Sequence, residues 1–338
     1  MSATPETRPL LAVEGLTVEF ETPEGVVRAV DDVSFELGAG EVLGIVGESG
    51  SGKTVTCRAL MRLLPSRRAR IVAGAAHLDG IDLMAIGEAE MQAVRGETIG
   101  MIFQNPMTHL DPVMTIGDQI AEPLRVHQGM SRGEALKCAA DMLRQVGMPD
   151  PVHHLGSYPH EFSGGMRQRA LIAAALACKP RLLIADEPTT ALDVTVQAQI
   201  LRLLLDLRDR TGLSIILITH DLGVVAQTCD TVAVMYAGRI VERAPKAELL
   251  RRPLHPYTEG LIASQPGTAP PGEALPSIPG QPPSLSQLPE GCRFHPRCAY
   301  VEAVCRDAIP PLAAVAPAHS SACLRWRTLA SPDLASKP

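Results

Sequence analysis

Short apolar runs, each followed by a polar or glycine-rich turn, recur along this chain and predict a sheet of several strands. Residues 16–20 and 33–37 alternate between apolar and polar side chains, as half-buried strands do. Residues 41–46, 182–185 and 213–219 are apolar almost throughout, which is typical of parallel strands buried on both faces. We therefore expect a buried parallel core with an antiparallel β edge.

Helical patterns separate these runs. Residues 54–64, 133–146, 166–177 and 196–210 are predicted helices, and the strand signal vanishes between 105 and 177. Alternating strands and helices predict an α/β fold with a parallel sheet, whose chemistry lies at the carboxyl ends of the strands. The stretch without strands predicts a helical subdomain inserted into that fold.

Composition and charge exclude some classes of function and location for this chain. The 338 residues carry a formal net charge of -6, which argues against nucleic acid as a partner. No apolar run reaches the length of a membrane span, and the polar N-terminus lacks the apolar core of a signal peptide. We therefore expect a cytoplasmic chain, in which the eight cysteines do not form structural disulfides.

A complete phosphate-loop motif follows the run at 41–46 and precedes a predicted helix. In this context, backbone N–H groups and the helix N-terminus cradle phosphates. The Lys53 side chain is expected to reach the β- and γ-phosphates, and the Thr54 hydroxyl is suited to Mg²⁺. The predicted nucleotide-binding residues here are Gly47, Glu48, Ser49, Gly50, Ser51, Gly52, Lys53 and Thr54.

Acidic and polar residues at the ends of other predicted strands supply the remaining chemistry. Asp186 can hold Mg²⁺, and Glu187 can orient or deprotonate the attacking water. Gln104 follows a short apolar run and can join Mg²⁺ or that water to the helical insert, while Asp193 comes shortly after the acidic pair. His220 ends a further strand, where a neutral imidazole can bond a γ-phosphate.

A second glycine-rich segment contains Ser163, Gly164 and Gly165, about a hundred residues after the phosphate loop. With GESGSGKT, Gln104, LLIADEP, TTALD and His220, the segment FSGGMRQR completes a set of six motifs in fixed order. This set resembles the ABC transporter ATP-binding subunits, which are P-loop ATPases. The resemblance covers about residues 10–325.

The resemblance implies a head-to-tail dimer that binds two ATP molecules between the phosphate loop of one chain and the Ser163 segment of the other. It also implies that Glu187, His220, Gln104 and Lys53 are catalytic and that an aromatic residue stacks on adenine. Phe20 is the candidate for stacking, although a core-strand role is the alternative. The Ser163 segment begins with Phe162, where many members of the family have leucine.

Two segments resemble the oligopeptide and dipeptide importers in particular. RPLHPYTEGL at 252–261 is similar to the segment that follows their ATPase core, and QNPMTHLDP at 104–112 is similar to the stretch after their glutamine. His109 and Asp111 depart from the usual form of that stretch. The expected domains are the ATPase at 10–263, with its helical subdomain at about 105–177, then a proline-rich linker at 264–291 and a cysteine segment at 292–326.

The last segment holds four cysteines within some thirty residues: Cys292, Cys298, Cys305 and Cys323. In a reducing compartment, such a cluster favours a metal site, and four thiolates suit either a [4Fe–4S] cluster or Zn²⁺. Their spacing lacks the short pairs that are usual in zinc ribbons, and it resembles the pattern of peptide-importer ATPases that carry an iron–sulfur cluster. An iron–sulfur cluster is the first expectation, with zinc or no metal as alternatives.

The resemblance thus implies the ATP-hydrolysing subunit of a peptide-type importer, peripheral at the cytoplasmic face of the inner membrane. The implied partners are a second ATPase subunit, with a heterodimer favoured over a homodimer, two permease subunits and, indirectly, an extracytoplasmic solute-binding protein. The alternatives are a soluble ATPase that is not coupled to transport, or an importer of nickel or another non-peptide solute.

Overall fold

The computed structural model describes residues 8–190, 192–266 and 275–329. Ala191 of the TTALD motif and residues 267–274 of the expected linker lie outside that range. The strands, numbered along the chain, are β1 Leu11–Thr22, β2 Gly25–Leu37, β3 Val42–Val46, β4 Ala69–Leu78, β5 Ile81–Asp82, β6 Ile99–Ile102, β7 Leu182–Asp186, β8 Ser214–Thr219, β9 Thr231–Tyr236, β10 Arg239–Pro245, β11 Ala313–Ala316 and β12 His319–Ser321. The α-helices are α1 Lys53–Leu60, α2 Glu88–Ala93, α3 Pro106–His109, α4 Ile116–Gln128, α5 Arg132–Gln145, α6 Gly164–Leu176, α7 Val194–Thr211, α8 Leu222–Thr228, α9 Lys246–Arg251, α10 Pro256–Ala263, α11 Val304–Asp307 and α12 Trp326–Leu329.

By its internal contacts the chain divides into two compact units. The first unit comprises the described residues within 1–37, 42–84 and 219–338, and the second comprises those within 38–41 and 85–218. The phosphate loop and the cysteine segment therefore belong to the same unit. The domain limits given from the sequence stay predictions.

The first unit contains an antiparallel sheet in the order β2-β1-β4-β5. It also contains strands in the order β11-β12-β10-β9-β3, of which β3 and β9 pair in parallel and the others pair antiparallel. Every residue of β3 is buried, as its apolar sequence predicts. The hairpin β11–β12 was not predicted, and it extends the sheet through β10.

The second unit contains the parallel strands β8, β7 and β6 in that order. Its residues 105–177 contain helices and no strand, so the expected helical insert is present. Helix α4 in this insert was missed because Pro123, which cannot donate a helical hydrogen bond, lies in its middle. Among the described residues of the chain, no helix combines the length and apolar character that membrane crossing requires.

Candidate active site

The phosphate loop connects β3 to α1, as the motif predicts, and two of its glycines are required by close backbone contacts. Gly47 has a φ of 154°, and a Cβ there would lie 2.1 Å from the Met235 carbonyl oxygen. Gly52 has a φ of 104°, and its Cβ would lie 2.5 Å from the Ala29 carbonyl oxygen. Any side chain at either position would force the loop away from β2 and β9.

Lys53 begins α1 and is buried beneath this loop. Its Nζ donates hydrogen bonds to the carbonyl oxygens of Gly47 (2.7 Å) and Glu48 (2.9 Å). The ammonium group therefore lies inside the curve of the loop, next to exposed Ser49 and Gly50. Thr54 follows in the first turn of α1, where its hydroxyl and the helix N-terminus suit Mg²⁺ and phosphate.

In the second unit, β7 carries the acidic pair to the end of the parallel strands. Asp186 is fully buried, and Glu187 has a left-handed backbone with a φ of 47°. The Glu187 Oε2 atom accepts hydrogen bonds from Gln104 Nε2 (3.0 Å) and Thr190 Oγ1 (2.8 Å). The structure thus joins two of the predicted catalytic residues directly, although they are 83 positions apart in sequence.

Ser163 caps the N-terminus of α6, with its Oγ atom accepting from the Met166 N–H at 3.3 Å. Ser163 and Gly164 are exposed, while Phe162 before them is buried and packs edge-on against the His154 ring. The phenylalanine that departs from the family pattern therefore anchors the segment and leaves its polar end accessible. A Cβ on Gly165 would lie 2.8 Å from Val196 Cγ1, so α6 packs closely on α7 at that point.

The two remaining polar residues of the motif set also lie at the ends of elements. Asp193 is exposed and caps α7 by accepting from the Val196 N–H at 2.9 Å. His220 is exposed and directly follows β8. Ser163 and Asp193 thus bond to their own helices, whereas Gln104 and Glu187 bond to each other.

Phe20 is half-buried on β1, directly opposite Val27 of β2. Paired residues on antiparallel strands project to the same face of the sheet. Val27 lines a groove together with residues 22–24 and the phosphate-loop residues 48–51. This location suits adenine stacking, and that role for Phe20 stays a prediction.

The four clustered cysteines line one small cavity of about 20 Å³, together with His255 and Phe294. Burial raises the pKa of each thiol, to about 12 for Cys323. Even so, among the residues that the structure describes, no group of three or more histidine, cysteine or acidic side chains is arranged to hold a metal ion. The structure therefore brings the four sulfur atoms to one cavity without the arrangement of a metal site.

The scattered cysteines differ from this cluster. Cys57, Cys178 and Cys229 are buried, as expected of small apolar side chains, and Cys138 is half-buried. None of the eight forms a disulfide in the structure.

The His-Pro-Tyr segment, residues 255–257, makes buried hydrogen bonds within the first unit. The His255 Nδ1 atom accepts from the Tyr257 N–H at 3.1 Å and so caps α10. Fully buried Glu242 accepts from the backbone N–H groups of Leu254 (2.6 Å) and His255 (3.0 Å), and it bonds His319 Nε2 at 2.7 Å. Glu242 therefore joins this segment to the terminal hairpin, a connection that sequence reasoning missed.

Comparison with known proteins places these observations in a family. The "ABC transporter" family model matches residues 30–190, and the "Oligopeptide/dipeptide transporter, C-terminal region" model matches residues 241–305. The oligopeptide transport ATP-binding protein OppD of Salmonella typhimurium is 51% identical over 316 residues, covering 94% of this chain and 93% of that one. OppD of Escherichia coli is 50% identical, with the same coverage.

Solved structures agree with this relationship. The dimeric ATP-binding cassette MJ0796, in a post-hydrolysis state with ADP and Pi, is similar with a TM-score of 0.63 and 26% identity. That likeness covers 70% of this chain and 98% of the cassette. With half of the aligned residues identical over nearly the whole of both sequences, this chain belongs to the ATP-binding subunits of the ABC transporter family and is an ATPase of that fold.

Proposed function

We propose that this chain binds and hydrolyses ATP to drive an importer of dipeptides or oligopeptides. The observation that carries the proposal is the match of residues 241–305 to the oligopeptide/dipeptide transporter region, within a similarity to OppD that spans nearly both chains. The buried His255 and Tyr257 lie in that matched region and give it a structural role in the first unit.

In the proposed reaction, Lys53 and the amides of the phosphate loop hold the β- and γ-phosphates. Thr54 and Asp186 would hold Mg²⁺, with Gln104 as a further ligand, because hydroxyl, carboxylate and amide oxygens are its usual donors. Mg²⁺ supplies charge neutralisation on the phosphates.

Glu187 accepts a proton from water as the water oxygen attacks the γ-phosphorus, and the bond to the ADP oxygen breaks. The hydrogen bonds from Gln104 and Thr190 fix the orientation of this carboxylate before the reaction. His220 bonds the γ-phosphate. These assignments rest on the geometry within each unit and on the family pattern.

The working enzyme in this proposal is a head-to-tail dimer. The exposed Ser163, with the amides of Gly164 and Gly165 at the N-terminus of α6, suits the γ-phosphate of an ATP bound by another chain. We propose a related ATPase subunit as the partner, with a second copy of this chain as the alternative.

The dimer would bind two membrane permease subunits at the cytoplasmic face of the inner membrane, and it would act indirectly with an extracytoplasmic solute-binding protein. Closure on ATP and reopening after hydrolysis would drive the permeases.

For the four cysteines we propose a sulfur-ligated metal group, with an iron–sulfur cluster before zinc. Their common cavity and their donor type support it. Metal analysis and an absorption spectrum of the anaerobically purified protein test this directly. Two or more equivalents of iron with a visible charge-transfer band indicate a cluster, one equivalent of zinc indicates the alternative, and neither metal refutes the proposal.

The test of function is ATP hydrolysis by the complex purified from native membranes, with and without oligopeptides and the solute-binding protein. Stimulation by peptides supports the proposal, and stimulation by nickel alone indicates the non-peptide alternative. A chain that purifies without membrane partners and hydrolyses ATP independently of solute contradicts coupling to transport.

A further inference from the structure

Arg297 joins the cysteine segment to the phosphate loop. Its guanidinium donates to both carboxylate oxygens of Glu48, with Nη1–Oε2 and Nη2–Oε1 distances of 2.7 and 2.9 Å. The side chain is only 5% exposed. A paired, two-point contact of this kind fixes the direction of both side chains as well as their distance.

The backbone of Glu48 is held as well. Its N–H donates to the Tyr257 hydroxyl at 2.8 Å, and Tyr257 is fully buried. These two contacts of Glu48 come from the C-terminal region, from residues 209 and 249 positions away. The phosphate loop of this chain is shaped by side chains that lie outside its own strand and helix.

The charge of Glu48 makes this contact chemically significant. A carboxylate in a loop that receives a triphosphate repels the ligand. A buried guanidinium paired with both oxygens cancels that charge, and the pair remains stable because both donors and acceptors are satisfied. Without Arg297, the loop would present an unpaired negative charge beside the phosphate site.

Arg297 also fixes the proline-rich segment. Its Nε donates to the Pro279 carbonyl oxygen at 2.9 Å, and a Cβ on Gly280, whose φ is 72°, would lie 3.6 Å from Arg297 Cγ. The residues that follow, 281–286, line the groove described above together with Val27 and the phosphate-loop residues 48–51. One side chain thus bonds both to the phosphate loop and to the segment that leads into this side of the groove.

We propose that Arg297 is a positioning residue for ATP binding, which neutralises Glu48 and sets the loop, and that Gln281–Ser286 forms the outer wall of the nucleotide pocket. The inference rests on nucleotide binding at the phosphate loop and does not depend on the transported solute. It assigns the C-terminal extension a part in the nucleotide site itself.

The first test measures ATP affinity by fluorescence titration with a methylanthraniloyl-ATP analogue on the full chain. Arg297→Gln is expected to weaken binding by about 10-fold or more, because it leaves Glu48 unpaired. Glu48→Gln together with Arg297→Gln is expected to restore affinity to within about threefold of wild type, since the repelling charge is gone. The control Arg306→Gln removes an exposed arginine of the same segment and is expected to change nothing.

A purely structural role makes a different prediction, namely that the double variant binds as weakly as Arg297→Gln. That result, or unchanged affinity in Arg297→Gln, would overturn the proposal. In the native complex, Arg297→Lys keeps the charge and loses the two-point contact, so KM for ATP is expected to rise while kcat changes by less than about threefold. A fall in kcat at constant KM would also overturn it.

The second test locates the wall by photolabelling the full chain with 8-azido-ATP and mapping the adduct by mass spectrometry. An adduct within residues 281–286 that excess ATP suppresses supports the wall. Specific adducts confined to other parts of the chain would overturn this part of the proposal.

Discussion

The Gln104 side-chain amide donates a hydrogen bond to the Glu187 carboxylate, with an Nε2–Oε2 distance of 3.0 Å. Gln104 lies two residues after the end of β6 and precedes the helices of the insert, while Glu187 directly follows β7. A movement of the helical insert can therefore shift the Glu187 carboxylate, the proposed catalytic base, through the Gln104 side chain.

Glu187→Gln removes the proposed base and keeps the shape of the side chain. We expect ATP hydrolysis by the complex to fall by about 100-fold or more, because a general base contributes that much, while ATP binding persists. Single-turnover hydrolysis and nucleotide titration on the same preparation measure both quantities. Glu90→Gln, at an exposed carboxylate, is the control, and wild-type turnover in Glu187→Gln would remove this residue as the base.

Lys53→Ala removes the buried ammonium from within the phosphate loop. We expect ATP affinity to fall by about 10-fold or more, since the charge that faces the β- and γ-phosphates is lost. Titration calorimetry measures the change, with Lys137→Ala at an exposed lysine as control. Equal affinities in both variants would contradict the role assigned to Lys53.

Ser163→Arg adds a bulky charged side chain to the exposed start of α6. The isolated chain should bind ATP normally, whereas hydrolysis by the complex should fall by about 10-fold or more, because Ser163 acts on ATP held by another chain. Ser131→Arg is the matched control, since both substitutions remove a helix cap worth about 1 kcal/mol. Impaired ATP binding by isolated Ser163→Arg would contradict a role across the dimer interface.

His255 predicts a dependence of stability on pH. Burial lowers the pKa of His255 to about 3, below the ordinary value of 6.5, so the unfolded chain binds the extra proton between these values. The contribution of neutral His255 to the free energy of unfolding is therefore complete above pH 6.5. It is lost as the pH falls toward 3, by up to about 1.4 kcal/mol per pH unit. His255→Asn keeps a capping oxygen, so denaturant titrations should show a shallower loss, whereas exposed His160→Asn should not. An unchanged slope in His255→Asn would contradict this account.

The sequence predicts much of this fold because its motifs combine a chemical pattern with a local context. The phosphate loop, the acidic pair and the helix after Ser163 could each be located from a strand and a helix nearby. Other features could not be found in this way. Helix α1 ends at Leu60 rather than the expected Leu64, since Arg62 adopts a φ of 52°. Strand β11 is rich in alanine, which has weak strand preference, and it exists because β12 pairs with β10.

No pattern in the sequence predicts the contact of Arg297 with Glu48. Glu48 belongs to the phosphate-loop motif and Arg297 to the cysteine segment, but no spacing rule connects positions so far apart. Only the folded first unit brings the cysteine segment to the phosphate loop.

Uptake of labelled oligopeptides by cells that carry Glu187→Gln in place of the wild-type chain tests the central proposal most directly. We predict that oligopeptide uptake is lost, while uptake of an unrelated amino acid continues at the wild-type rate. Oligopeptide uptake at the wild-type rate in these cells, with the variant chain present at normal amounts, would contradict the proposal that ATP hydrolysis at Glu187 drives peptide import.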